Sequence, residues 1–147
     1  MSKIETVLVT GKTHTTASAN DGAGGHGRLD LTLTTPGNAA SPEYRYAAVQ
    51  PHPTAEQLFA GAWSSCFIAA IGLVAAERKV KLPADLAVEI EVDLGKTGDA
   101  YFLQARLHVS APGVPHEVAH SIVHAADQIC PYSKATRGNI DVAITVA

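Results

Sequence analysis

Two cysteines, a run of helix-spaced histidines and a glycine-rich loop are the residues of this chain that could do chemistry. Cys66 sits in "QLFAGAWSSCFIAAIGLVAAERK", residues 57–79, among small or apolar neighbours with no charge between Glu56 and Glu77. Two readings of it stand. A free cysteine in such surroundings packs as a small hydrophobe. A reactive cysteine there needs a partner, because apolar surroundings raise a thiol's pKa and only the thiolate is the nucleophile. Cys130 closes "HEVAHSIVHAADQIC", where the negative end of a helix dipole disfavours a thiolate. It is therefore poorly placed to attack first. An arginine beside Cys66, itself held by a carboxylate, would supply the thiolate at neutral pH while Cys130 waits as a neutral resolving thiol.

The other two patterns suggest different chemistries. "HEVAH", His116 to His120, fits the zinc-protease spacing in which two histidines one turn apart bind metal and Glu117 is the general base. His124 extends the stripe by another turn. Histidines at i, i+4 and i+8 rotate by about 40° per step over ~12 Å of helix, so three of them do not converge on one ion. A solvated histidine face accounts for them without metal. "GAGGHG", Gly22 to Gly27, fits a dinucleotide fingerprint by spacing alone, but it runs into a strand-like segment rather than opening a helix. A hairpin turn is the better account.

Composition limits the classes further. The 147 residues suit one domain, 1–147, and a net charge of -3 with no basic stripe argues against nucleic acid. The N-terminus lacks the apolar core of a signal peptide, and no unbroken apolar run reaches the ~20 residues of a membrane span, so the expectation is a cytoplasmic protein without a membrane partner. Thiols stay reduced in that compartment, which argues against a permanent structural staple between the two cysteines and leaves a catalytic pair open.

The elements that must position these residues follow from periodicity. Ile4 to Lys12 reads as a strand, "THTTASANDGAGGHG" as a polar turn and "RLDLTLTTPG" as a half-buried strand, giving a hairpin. Pro42, Pro51 and Pro53 mark an extended connection with a short strand around Tyr44 to Val49. A long buried helix then runs from the N-cap Thr54, with Gln57 as capping-box partner, to about Lys79. Strands over Ala87 to Leu94 and Ala100 to Ser110, turning at Gly95 and Gly98, form a second hairpin. A helix opened by Pro115 and stopped by Pro131, a short helical piece near Tyr132 and a last strand, "NIDVAITVA", complete an α+β chain with largely antiparallel sheets.

"AEQLFAGAWSSCF" and "CPYSKATRGNIDV" closely resemble motifs of the organic hydroperoxide resistance proteins of the Ohr/OsmC family, and the element order agrees along almost the whole chain. The resemblance implies an intertwined α+β homodimer and a thiol-dependent peroxidase with no cofactor and no metal. Its substrate would be an organic or lipid hydroperoxide, reduced to the alcohol. By motif, Cys66 is the peroxidatic thiol, Cys130 the resolving one and Glu56 the carboxylate that orients an arginine. A dithiol, dihydrolipoamide on a lipoylated protein, would restore the enzyme. The sequence departs from the family pattern where an Ohr protein carries its arginine: "SANDG" puts Asn20 there, and an asparagine brings no charge. The resemblance to the OsmC branch directs the choice to Arg45, in the segment before the helix, with Arg28 and Arg137 as substitutes. The competing functions are a zinc-dependent hydrolase using the HEVAH helix and a non-catalytic, stress-induced binding module.

Overall fold

The computed structural model describes residues 3–17, 29–34 and 54–147, with backbone alone at 17 and 29–34. Asn20, the Gly22 to Gly27 loop, Arg28, Arg45 and the strand expected around Tyr44 to Val49 lie outside the described residues. The elements in chain order are β1 (Thr6–Ala17), β2 (Leu29–Thr34), α1 (Ala55–Glu77), β3 (Ala87–Thr97), β4 (Ala100–Ser110), α2 (His116–Ile129), α3 (Pro131–Thr136) and β5 (Asp141–Val146). The strands form one sheet in the order β2-β1-β3-β4-β5. Three pairings are antiparallel, and β5 joins β4 in parallel after the α2–α3 crossover.

Alternation makes the sheet two-faced. Val88, Ile90 and Val92 of β3 and Ala105, Leu107 and Val109 of β4 are buried and share one core cluster with Trp63, Phe67, Ile71 and Val74 of α1 and Ala119, Ile122, Val123 and Ala126 of α2. The opposite face is charged. Lys12 pairs with Glu89 and Glu91, and Arg106 pairs with Glu91 and Asp93. Burial by itself would raise the Asp93 carboxyl, but hydrogen bonds from Arg106, Thr10 and Gln104 outweigh it and hold the group below its ordinary value.

Three boundaries differ from the sequence reading. β1 continues through Thr13 to Ala17, where a polar turn was expected, because its inward threonines are satisfied. Thr15 shares a 2.7 Å hydrogen bond with Ser64 of α1, and the Thr13 hydroxyl reaches the Ile90 carbonyl. Gly95 lies within β3 rather than in the turn; Gly98 alone takes the left-handed conformation, φ 58°, that the β3–β4 turn needs. Pro115 is the residue before α2 rather than its first turn.

The capping box that starts α1 is present in both directions: Gln57 N–H donates to the Thr54 hydroxyl at 3.1 Å, and Thr54 N–H donates to the Gln57 side chain at 2.9 Å. The helix is 23 residues long and, by length and composition, apolar enough to cross a membrane, contrary to the expectation that no segment would be. Within the fold more than half of that apolar window is buried against the sheet and α2, which is the physical reason for its composition. It is not apolar-buried all round, however. Leu58 is 57% exposed and Leu73 68%, and with the exposed Ala62 and Ala69 they form a stripe at helical spacing along one side of α1.

Candidate active site

Cys66 lies on the border of that stripe, partly buried at mid-helix. The local sequence places the second cysteine beside it: Pro131 ends α2, and Cys130 becomes at once the last cap of α2 and the first cap of α3. The sequence reading weighed Cys130 as a helix C-terminus and expected a short helical piece near Tyr132; that piece is α3, which starts directly at Pro131, where proline's fixed φ suits a first turn, so Cys130 stands at a helix start as well. Cys130 is fully buried, and its thiol donates to the Cys66 sulfur at 3.3 Å. Both cysteines are free.

Three influences act on the Cys66 thiol. Burial is the largest and pushes it up; the hydrogen bond and the charge of the neighbouring Cys130 push in the same direction; and the backbone of Tyr132, at the start of α3, pulls it down. The sum is a raised pKa. Among the described residues no cation acts on Cys66. Arg137, one of the substitutes, is engaged: it donates to the Asp127 carboxylate at 2.7 Å and to the Asp127 carbonyl at 2.8 Å.

Glu56 is half-buried in the first turn of α1. The helix is unbroken from Glu56 to Cys66, so the two Cα atoms are about 15 Å apart along its axis and the side chains do not meet within one chain. Glu56 is held in place by β1. A Cβ at Gly11 would lie 2.5 Å from the Gln57 nitrogen and 2.7 Å from the Glu56 carbonyl carbon, so glycine there permits the close approach of β1 to the helix start.

Trp63, Phe67 and Ile68, the large apolar neighbours of Cys66 in the sequence, do not wall the thiol: they point into the core, buried to 5% exposure or less. On the outside, the apolar surface nearest in sequence to the two sulfurs is that of Ala62, Ala69 and Leu73 on α1 and the partly exposed Ile129 and Tyr132. The histidine stripe lies elsewhere: His116, His120 and His124 are exposed on α2, with ring centroids 6.0 and 4.5 Å apart. Among the described residues no three His, Cys, Asp or Glu side chains are grouped to hold a metal ion.

Comparison with known proteins follows the same lines. The model of the OsmC-like protein family matches residues 47–145. The organic hydroperoxide resistance protein of Xanthomonas axonopodis pv. citri is 41% identical over 92 residues, which is 63% of this chain and 65% of the relative. The chain thus spans just under two thirds of that relative's length. The organic hydroperoxide resistance protein OhrA of Bacillus subtilis is 34% identical over 119 residues, 81% of each chain. In three dimensions the chain is similar to the crystal structure of OhrB from Bacillus subtilis, with a TM-score of 0.63 and 31% identity over 78% of this chain and 88% of that one. It is also similar to an organic hydroperoxide resistance protein from Elizabethkingia anophelis, at a TM-score of 0.61 and 31% identity over 90% and 94%.

Proposed function

The chain belongs to the OsmC-like family, and from that premise we propose that it is a thiol-dependent peroxidase that reduces organic hydroperoxides as part of peroxide resistance. The observation that carries the proposal is the 3.3 Å approach of the buried Cys130 sulfur to a partly accessible Cys66.

The Cys66 thiolate attacks the terminal oxygen of ROOH, the O–O bond breaks, and the alkoxide takes a proton to leave as ROH. Cys66 is then a sulfenic acid. The Cys130 sulfur attacks the Cys66 sulfur, an S–S bond forms, and hydroxide leaves as water with the Cys130 proton. A dithiol returns two electrons and two protons, for which the family resemblance suggests dihydrolipoamide on a lipoylated protein. Glu56 and Arg45 are proposed as the carboxylate and cation that favour the thiolate.

The apolar surface of Ala62, Ala69, Leu73, Ile129 and Tyr132 supports a substrate with an apolar tail, which adds burial worth about 25 cal/mol per Å². Bulky alkyl hydroperoxides are accordingly expected to exceed hydrogen peroxide in kcat/KM. The same exposed stripe on α1 supports a homodimer, in which a second copy covers it. Thiol titration before and after cumene hydroperoxide tests the function. The expected result is loss of both thiols in each chain without a crosslinked band on a denaturing gel. Retention of both thiols sinks the proposal.

A further inference from the structure

The two cysteines are accompanied, one turn away on each segment, by a second contact. Trp63 precedes Cys66 by three residues on α1, and Ser133 follows Cys130 by three residues on α3; the Trp63 indole N–H donates to the Ser133 hydroxyl at 3.2 Å. Both side chains are buried, Trp63 completely. This bond matters more than its size suggests because of what α3 lacks. A six-residue helix has no stability of its own. Its two buried residues are Ser133 and Thr136, so it is not docked by a large apolar side chain. Among the described residues the Thr136 hydroxyl bonds within the helix, to the Tyr132 and Ser133 carbonyls. The Trp63 bond therefore gives α3 a directional anchor on α1.

The start of α3 also meets the reactive sulfur directly. The Cys130 thiol, at the cap of α3, donates to Cys66 at 3.3 Å. We propose that Trp63 and Ser133 are positioning residues whose hydrogen bond sets α3 on α1 at the register that holds the Cys130 thiol against the Cys66 sulfur. The pair thus serves one stage of the cycle, the capture of Cys66 by Cys130. The inference builds on the reading of Cys66 and Cys130 as an exchanging pair.

The test uses no hydroperoxide, so a protein that reduces none still decides it. The Cys66–Cys130 dithiol–disulfide equilibrium is measured in buffers of reduced and oxidised dithiothreitol. Ser133→Ala removes the acceptor and should lower the oxidised-to-reduced ratio about tenfold, roughly 30 mV for a two-electron couple. Ser133→Thr keeps a hydroxyl and should restore the ratio. If the buried, orphaned indole prevents Ser133→Ala from folding, the double variant Trp63→Phe with Ser133→Ala removes donor and acceptor together and is read in the same way. A folded Ser133→Ala or double variant with the parent's equilibrium overturns the proposal and leaves the bond a purely structural one. Equal losses in Ser133→Ala and Ser133→Thr overturn it too, since the hydroxyl would then not be what sets the register.

Discussion

Cys66 and Cys130, 64 positions apart in sequence, hold their sulfurs 3.3 Å apart, whereas Glu56, ten positions from Cys66 on the same helix, is about 15 Å away along its axis. The first separation lets the two thiols exchange without a rearrangement of α1. The second requires any contribution of Glu56 to Cys66 to pass through a long cation or through another chain.

The two thiols should fail in different ways. Cys66→Ser should abolish peroxidase turnover, and Cys130→Ser should permit one oxidation that stops at a sulfenic acid. Mass spectrometry after reaction with dimedone distinguishes them: an adduct on Cys66 in the Cys130→Ser protein is expected. An adduct on Cys130 in the Cys66→Ser protein, with none in its counterpart, would reverse the roles.

The pH profile should report whether a cation acts on Cys66. Burial raises the Cys66 pKa, so at a fixed pH less thiolate is present, and the oxidation rate must climb with pH through that pKa. A neighbouring positive charge favours the thiolate and moves the climb to lower pH, typically by about one to three pH units. Removing Arg45 by Arg45→Ala should therefore shift the profile alkaline and reduce the neutral-pH rate about tenfold or more. An unmoved profile in stopped-flow measurements across pH would clear Arg45 and turn attention to Arg28.

Subunit exchange tests whether sites are shared. If a two-fold axis pairs α1 with its copy in antiparallel fashion, Glu56 of each chain comes near Cys66 of the other, since such an interface is reciprocal. Cys66→Ser and Glu56→Ala subunits, each inactive alone, should recover part of the activity when mixed. A mixture that stays inactive after exchange is verified by mass spectrometry places the site within one chain. Leu73→Glu should weaken association in sedimentation experiments, because it puts a charge in the exposed apolar stripe.

Gly11 should tolerate no side chain. A Cβ at this position would press on backbone atoms of Gln57 and Glu56, which have no flexible group to yield, so Gly11→Ala should cost roughly 1–3 kcal/mol in denaturant unfolding. Because the strain falls on the turn that carries Glu56, turnover should drop as well. A variant with parental stability would mean that β1 withdraws from the helix without penalty.

Most of the elements, and the family, were legible along the chain. Thr54 and Gln57 announced the start of α1, alternation marked β3 and β4, Pro131 ended α2, and the two cysteine motifs pointed to the relatives, because capping, strand periodicity and motif spacing are local properties. Local patterns did not reveal that β1 runs on through Thr13 and Thr15, since those polar residues become strand only when Ser64 of α1 and the β3 backbone are there to satisfy them. Nor did they distinguish which apolar residues around Cys66 face outward: Trp63, Phe67 and Ile68 are as apolar as Leu73, and only packing assigns them to the core. The motifs paired Cys130 with Cys66, but their 3.3 Å approach and the Trp63–Ser133 bond belong to the tertiary structure. Each depends on how α3 lies across α1, and that placement is fixed by packing between residues 64 and 70 positions apart, a distance over which no sequence period carries information.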